Sequence, residues 1–317
     1  MKVFVTGATG FAGSHLLEYL EKRQDLSLFG TFLSSESLVN IEKVKNRIKL
    51  FKVDLGVKDE VERLIKEVEP DVVFHLAAFT APSESFKDPL KPIENNVSIE
   101  LNIFEALKSA NLFKTKTLIT SSGEVYGLVA KENLPIDEET PFNPTNPYAV
   151  SKITQDFLAL QYFLSYNMPI IRVRPFNHIG PRQSPSFVIA SFAKKIAEIE
   201  KGKEPILEVG NLEAKRDFTD VRDMVKAYSL AVEKGLPGEV YNIGSGKSYK
   251  ISEMLEYLLS LSSKKIQVKE SKSLLRPIDN PELVCDFSKF KKETGWSPKV
   301  DIHKTLEDTL DYWRQII

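Results

Sequence analysis

Val3-Phe4-Val5-Thr6-Gly7-Ala8-Thr9-Gly10-Phe11-Ala12-Gly13 stands almost at the start of the chain and decides how the rest is read. Val3–Thr6 is a short apolar, β-branched run of the kind that forms a buried strand. Glycines at 7, 10 and 13 then permit a tight turn and a close backbone approach, and helical apolar spacing follows over Leu16–Lys22. A strand that turns through glycines into a helix presents unpaired N–H groups at the helix N-terminus, a seat for a pyrophosphate. A glycine cluster alone says little. Its place between the first strand and the first helix makes Gly7, Thr9, Gly10, Phe11, Ala12 and Gly13 candidates for holding a dinucleotide.

Working outward, further apolar runs at Leu26–Phe32, Ile48–Val53, Val72–Ala77 and Thr117–Thr120 alternate with helical patterns at Glu60–Val68 and Ile99–Ser109. A long helix over Pro147–Tyr166 and a strand over Ile170–Pro175 continue the rhythm. Short buried strands separated by helices predict βαβ units, hence an α/β fold: a Rossmann-type doubly wound parallel sheet. Beyond Pro175 the rhythm breaks at Asn177-His178-Ile179-Gly180-Pro181-Arg182-Gln183-Ser184-Pro185, with Pro/Gly punctuation at 202–205, 235–238 and 244–246. This predicts a smaller, discontinuous α/β substrate-binding region made of returning segments. The expected division is 1–175 with 219–245 for the dinucleotide and 176–218 with 246–317 for the substrate. The pattern over Ile302–Ile316 predicts a closing helix with one buried face.

Composition narrows the function. The chain has 317 residues, 43 Lys plus Arg against 44 Asp plus Glu, and a net charge of −1. Such a chain has no whole-protein field to gather nucleic acid or anionic lipid, so an anionic ligand must be held by a few local groups. The single cysteine, Cys285, admits no internal disulfide, which fits a reducing, cytoplasmic setting. One cysteine and four histidines argue against a structural zinc site, and no metal is expected. No apolar run approaches the ~20 residues that span a bilayer, and the N-terminus enters a strand with no cleavable signal.

The end of the second strand ordinarily sets cofactor choice, a carboxylate accepting ribose hydroxyls and an arginine accommodating a 2′-phosphate. Phe29-Gly30-Thr31-Phe32-Leu33-Ser34-Ser35-Glu36 places neither signal there, so NADP and NAD both stand open. Asp54, followed by Leu55 after the third strand, reads either as a contact to the adenine amino group or as the cap of the next helix. His75-Leu76-Ala77-Ala78 ends the fourth strand; Ala77 and Ala78 are small enough to let a cofactor lie against the sheet, and His75 reads as a core histidine.

Chemistry is carried by Tyr148-Ala149-Val150-Ser151-Lys152. Residues i and i+4 share a helix face. A lysine cation beside the phenol is expected to lower the tyrosine pKa, so that Tyr148 exchanges a proton with an alcohol or ketone. Upstream lies Thr120-Ser121-Ser122-Gly123-Glu124-Val125-Tyr126-Gly127, whose Ser122 can bond the same substrate oxygen.

With the glycine turn, Ser122 and Tyr148/Lys152 in this order, the chain resembles the extended short-chain dehydrogenase/reductases that act on nucleoside-diphosphate sugars. The resemblance covers nearly all 317 residues. It implies a catalytic trio of Tyr148, Lys152 and Ser122, hydride exchange at the sugar C4, and a homodimer packed through the helices near Ile99–Ser109 and Pro147–Tyr166. Dehydratases of the family carry Thr-Asp-Glu or Thr-Ser-Glu where this chain has Ser122-Gly123-Glu124. Glu124 matches their base, but Gly123 has no side chain to act as an acid.

Two segments, 174–184 and Val209-Gly210-Asn211-Leu212-Glu213-Ala214-Lys215-Arg216-Asp217-Phe218-Thr219-Asp220-Val221-Arg222-Asp223, resemble the GDP-4-keto-6-deoxy-D-mannose reductase branch. That branch implies reduction of a GDP-bound 4-keto sugar to GDP-D-rhamnose. The GDP-sugar contacts implied are Asn177, Phe187, Val188, Arg216, Arg276 and Asp279, the arginines offering two-pronged donors to a diphosphate. Arg216 also reads as an internal ion pair with neighbouring Asp217, and Asp220, Arg222 and Asp223 as a helix cap with ion pairs. A GDP-mannose 4,6-dehydratase, a UDP-sugar 4-epimerase and a nucleotide-binding protein without activity are the competing readings.

Overall fold

The computed structural model describes residues 1–275 and 278–317. Strand β1 (Lys2–Thr6), helix α1 (Phe11–Leu20), β2 (Ser27–Phe32) and β3 (Ile48–Lys52) come first, then α2 (Lys58–Val68), β4 (Val72–His75), α3 (Pro82–Ser85) and α4 (Leu90–Ser109). β5 (Lys116–Thr120), α5 (Pro147–Tyr166) and β6 (Ile170–Pro175) follow. With β7 (Asn177–Ile179), α6 (Val188–Glu200), β8 (Ile206–Val209), β9 (Lys215–Asp220), α7 (Val221–Lys234) and β10 (Val240–Ile243) the chain leaves the main sheet and returns. It ends in β11 (Ser248–Lys250), α8 (Ile251–Ser260), β12 (Gln267–Glu270), β13 (Glu282–Leu283), α9 (Ser288–Thr294) and α10 (Ile302–Ile316).

Seven parallel strands form one sheet in the order β10-β6-β5-β4-β1-β2-β3. α1 and α7 pack together on one face, and α2, α4 and α5 on the other. Both faces are covered, which is why β1 and β4 are almost wholly buried and the two arginines of β6 are buried against Asp156. This is the doubly wound Rossmann architecture the periodicity predicts. The second body is built on β9, which pairs with β11, β13 and β7, and β12 pairs with β8 beside it. Its core joins α6, α8 and α10 through Phe192, Ile196, Met254, Leu258, Leu306 and Trp313.

Several boundaries differ from the sequence reading. α1 starts at Phe11, five residues before Leu16, because the glycine turn leads directly into the helix. β4 stops at His75 because the Leu76 and Ala77 N–H groups turn away to the Thr6 Oγ1, 3.1 Å from each. α4 begins at Leu90, well before Ile99; Pro92 lies in its first turn, where a missing N–H costs nothing. Phe290 of α9 and Trp296, two residues beyond its end, join the core that α1 and α7 share, rather than the α6/α8/α10 core.

Candidate active site

The glycine turn is forced by space. Gly7 has φ +65°, and a Cβ on Gly13 would stand 2.2 Å from the Gly7 carbonyl oxygen, so α1 can start this close to β1 only with glycine there. The helix N-cap, Gly10, supplies no side chain to its first turn, and that turn carries no acidic residue. Gly7, Gly10, Phe11, Ala12 and Gly13 face a cleft of about 750 Å³; Gly7 N donates to Thr31 Oγ1 and Gly10 N to the Gly7 carbonyl, which leaves the first-turn N–H groups of Phe11, Ala12 and Gly13 for an anion, with no acidic side chain in that turn to repel it. These residues fit the pyrophosphate of a dinucleotide. Ala78 and Lys152 line the same cleft. Thr9, Ala77, Asp54 and Leu55 are not among the residues that line it. Thr9 Oγ1 bonds Ser37 Oγ at 2.6 Å and its carbonyl accepts from Asn40, tying the turn to the short 3-10 segment Ser35–Ile41. Asp54 is exposed and holds its own turn by accepting from Gly56 N at 2.9 Å; the cap position of α2 belongs to Val57 instead.

α5 brings the reactive side chains to the middle of the cleft. Asn146 caps it by accepting from Ala149 N at 2.8 Å, and Pro147 sits at its first position. Further along, Asp156 is clasped by Arg172 and Arg174 of β6 at 2.7 and 2.8 Å, which fixes the helix on the sheet. Tyr148 and Lys152 thus face the cleft one turn apart. Lys152 Nζ donates to the Thr120 carbonyl at 2.8 Å and lies 6.0 Å from the Tyr148 ring centroid. Burial lowers the Lys152 pKa to about 8 against the opposing charge of Glu100. Tyr148 corrects the sequence expectation. Its pKa is raised by burial, with only the hydrogen bond to Ser122 pulling the other way, and the lysine does not offset this. The phenol therefore keeps its proton, as a proton donor should.

Ser122 Oγ accepts from Glu124 N at 3.2 Å, and Glu124 Oε2 accepts from Asn146 Nδ2 at 3.1 Å, so the loop and the start of α5 form one piece. A Cβ on Gly123 would stand 3.0 Å from the Phe176 ring: the place of a side chain there is taken. His75 is fully buried, Nδ1 bonded to Thr6 Oγ1 at 2.9 Å, and burial takes its pKa to about 3, which makes it a neutral core group.

The other end of the cleft is walled by Asn177, Phe187, Val188, Asn211, Arg216, Leu274 and Asp279. Arg216 is paired, but with Asp279 at 2.5 Å and not with Asp217. It also donates to the Asn280 carbonyl at 2.7 Å, and Asn211 holds the other Asp279 oxygen at 2.8 Å. Asp217 is turned inward onto Ser245, Gly246 and Cys285 N–H groups instead. Arg276 lies outside the described residues. Asp220 caps α7 and pairs with Arg222, and Asp223 accepts from Lys299 and Val300 N–H groups, the structural roles expected of them.

Sequence reasoning missed several wall residues. Thr80, Ser83, Glu84 and Lys87 around α3 line the cleft, and no spacing signal marks them. Gln183 and His178 line it too; the His178 ring stacks on Phe11 with centroids 5.6 Å apart and an interplanar angle of 5°. Arg182, at φ +75°, reaches back from the same loop to Glu18 (2.6 and 2.8 Å), His15 (2.8 Å) and the Asn40 carbonyl (2.7 Å). Burial and the adjacent guanidinium hold His15 near pKa 4, so it is neutral in this clasp. The helix that carries the phosphate turn is thereby bolted to the loop that follows β7.

Residues 4–309 match the GDP-mannose 4,6 dehydratase family. The chain is 36% identical to GDP-6-deoxy-D-mannose reductase of Pseudomonas aeruginosa over 98% of this chain and 97% of that one. It is 28% identical to GDP-mannose 4,6-dehydratase of Yersinia enterocolitica over 96% and 91%. Among solved structures, RMD from Pseudomonas aeruginosa complexed with NADPH superposes with a TM-score of 0.86 at 35% identity, covering 100% of this chain and 99% of that one. Thermus thermophilus UDP-glucose 4-epimerase in complex with NAD does so at 0.87 and 30%, covering all of both chains.

Proposed function

The chain belongs to the GDP-mannose 4,6 dehydratase family, and from that premise we propose that it is an NAD(P)H-dependent reductase converting GDP-4-keto-6-deoxy-D-mannose to GDP-D-rhamnose. The observation that carries the reading is the buried Tyr148 lining one cleft of about 750 Å³ with Ser122, Lys152 and the glycine turn. The Pseudomonas reductase, similar over almost the whole of both chains, supports the choice of substrate.

The cofactor, when bound, supplies the hydride that a C4 ketone accepts. The chain's own residues do the rest. Gly7 and Gly10–Gly13 hold the pyrophosphate, and Lys152, half in and half out of its charged form near pH 8, places a cation on the cofactor side of the site. Ser122 and Tyr148 hydrogen-bond the ketone oxygen, and Tyr148 hands its phenolic proton to that oxygen as it gains negative charge, so ketone, hydride and proton sum to an alcohol. NADPH and NADH are both candidate donors. The Pseudomonas neighbour holds NADPH and the Thermus neighbour NAD, and here the end of β2 carries neither a carboxylate nor an arginine.

Asn177, Phe187, Val188, Arg216, Arg276 and Asp279 are assigned to the GDP-sugar, with Asp54, Leu55, Thr9, Ala77 and Ala78 serving the adenosine half. The division into a dinucleotide body (1–175, 219–245) and a sugar body (176–218, 246–317) follows, with the stretch from Phe287 to Trp296 lodged on the former. Glu124 keeps a dehydratase activity in view as the second reading; the ring of Phe176 against Gly123 supports the reductase, since no acid stands there. A homodimer through α4 and α5 is supported by an exposed apolar stripe. Val150, Phe157 and Leu164 recur every seven residues along α5, and Phe157 and Leu164 are 53% and 67% exposed; Leu101 of α4 is exposed as well. Among the described residues no helix is long and apolar enough to cross a membrane, and a cytoplasmic location is proposed.

The test is to incubate the protein with GDP-4-keto-6-deoxy-D-mannose and, separately, GDP-mannose, each with NADPH or NADH, and follow cofactor absorbance. Oxidation with the keto sugar alone is expected, falling at least about a hundredfold in Tyr148→Phe. Conversion of GDP-mannose to the keto sugar without net oxidation would establish the dehydratase instead.

A further inference from the structure

Tyr228 is unlike the other buried tyrosines. It lies on α7, 1% exposed, in the core that α7 shares with α1. Tyr126 donates to Asn242 at 2.7 Å, Tyr162 bonds Glu105, and the Tyr241 hydroxyl accepts from Leu236 N at 3.1 Å. Buried hydroxyls are nearly always satisfied in this way. The hydroxyl of Tyr228 has no hydrogen-bond partner among the described residues, yet the residue lines the large cleft together with Gly10, Phe11, Ala12, Ser121, Tyr148 and Lys152.

Its place in the fold narrows what it meets. α5, with Tyr148 and Lys152, packs beside α4 on one face of the sheet; α7 packs beside α1 on the other and touches β5, β6 and β7. A ligand seated across the C-terminal ends of β5 and β6 therefore has Tyr148 on one side and Tyr228 on the other. The part of a dinucleotide that reaches there is the part beyond the pyrophosphate turn.

We infer that the Tyr228 hydroxyl is a cofactor-positioning group, a hydrogen-bond donor to the nicotinamide half of the dinucleotide from the face opposite Tyr148. This rests on the reading of the cleft as a dinucleotide site. Burial raises the Tyr228 pKa, so the phenol keeps its proton and acts as donor throughout the working pH range.

Tyr228→Phe removes one oxygen and no protein contact. Binding is read without turnover, by fluorescence titration with NADPH and NADH and, as a probe of the adenosine half alone, adenosine 2′,5′-bisphosphate. The expected result is about five- to tenfold weaker NADPH and NADH binding, the loss of one hydrogen bond to a ligand, with the bisphosphate unaffected and the ligand-free melting temperature not lowered. Unchanged NADPH and NADH affinity overturns the inference. So does a lower ligand-free melting temperature, or equal weakening of all three probes, because either makes Tyr228 a packing residue. Failure of the wild-type chain to bind NADPH or NADH would overturn the dinucleotide reading itself, and this inference with it.

Discussion

Lys152 and Glu100 set the pH behaviour of the site. Lys152 is 3% exposed and Glu100 is fully buried on α4, where it accepts from Gln155 Nε2 at 2.7 Å. Burial pulls the lysine down to about 8 while the Glu100 carboxylate pushes it back up. Beside the lysine, His75 is neutral at working pH and burial holds the Tyr148 phenol protonated, while burial drives Glu100 well above the usual carboxylate range. Lys152 is charged below its folded pKa and loses that charge as pH rises, so kcat/KM for the keto sugar is expected to decline along an alkaline limb near pH 8. Glu100 raises the lysine only while ionised, and its own raised pKa favours the protonated carboxyl, so the limb of Glu100→Gln in a pH–rate profile is expected to stay near that of the unmutated protein; a limb moved to lower pH would show a carboxylate beside Lys152. At this scale the sequence was half legible. The Tyr148/Lys152 spacing and the Gly7–Gly13 turn name themselves, because helix period and glycine sterics are local. Glu100, Gln183 and Tyr228 do not, because nothing within a few residues of them reveals what another element brings alongside. The expectation that Lys152 lowers the Tyr148 pKa failed for the same reason. Spacing gives the shared helix face but not the burial that outweighs the cation.

The elements themselves were mostly readable. α5, β6 and α10 fall on their predicted bounds because each is set by a local device: Asn146 and Pro147 at the start of α5, Asn167 in a left-handed conformation at its end, and Asp301 capping α10. Errors gathered where tertiary contacts decide, as at β4, whose end depends on a threonine 69 residues earlier, Thr6 to His75. The loop after β7 is the element on which most now depends. Arg182 is only 12% exposed and makes a two-pronged pair with Glu18, so Arg182→Ala should lower stability by about 1–3 kcal/mol, the usual loss for a partly buried charged hydrogen bond. It should also raise the KM for cofactor and for sugar together, since the clasp joins their two binding surfaces. A melting curve and paired KM values check this; a variant that loses neither would make the clasp ornamental.

For the whole molecule, the apolar stripe on α5 calls for a second copy of the chain. A charge placed in its middle, Phe157→Asp, is expected to convert a dimer to a monomer in sedimentation equilibrium while leaving the monomer folded, because the residue is 53% exposed in the single chain. A concentration-independent monomer in the unmutated protein would remove the dimer proposal. The point where the chain first leaves the main sheet, after Pro175, coincides with the change of rhythm in the sequence. The lodging of Phe290 and Trp296 on the first body could not be read, since a short, mostly charged helix with one phenylalanine carries no mark of which core it fills. The bolt between α1 and the loop after β7 has a bearing on engineering. That loop looks like a cassette, an obvious piece to exchange between relatives in order to graft new sugar preferences. Transplanted alone, it would bring a guanidinium to a recipient lacking His15, Glu18 and an Asn40 carbonyl placed to receive it. Chimeras should succeed only when the receiving positions on the first helix and the 35–41 turn travel with it, which makes three separated stretches of chain one heritable unit.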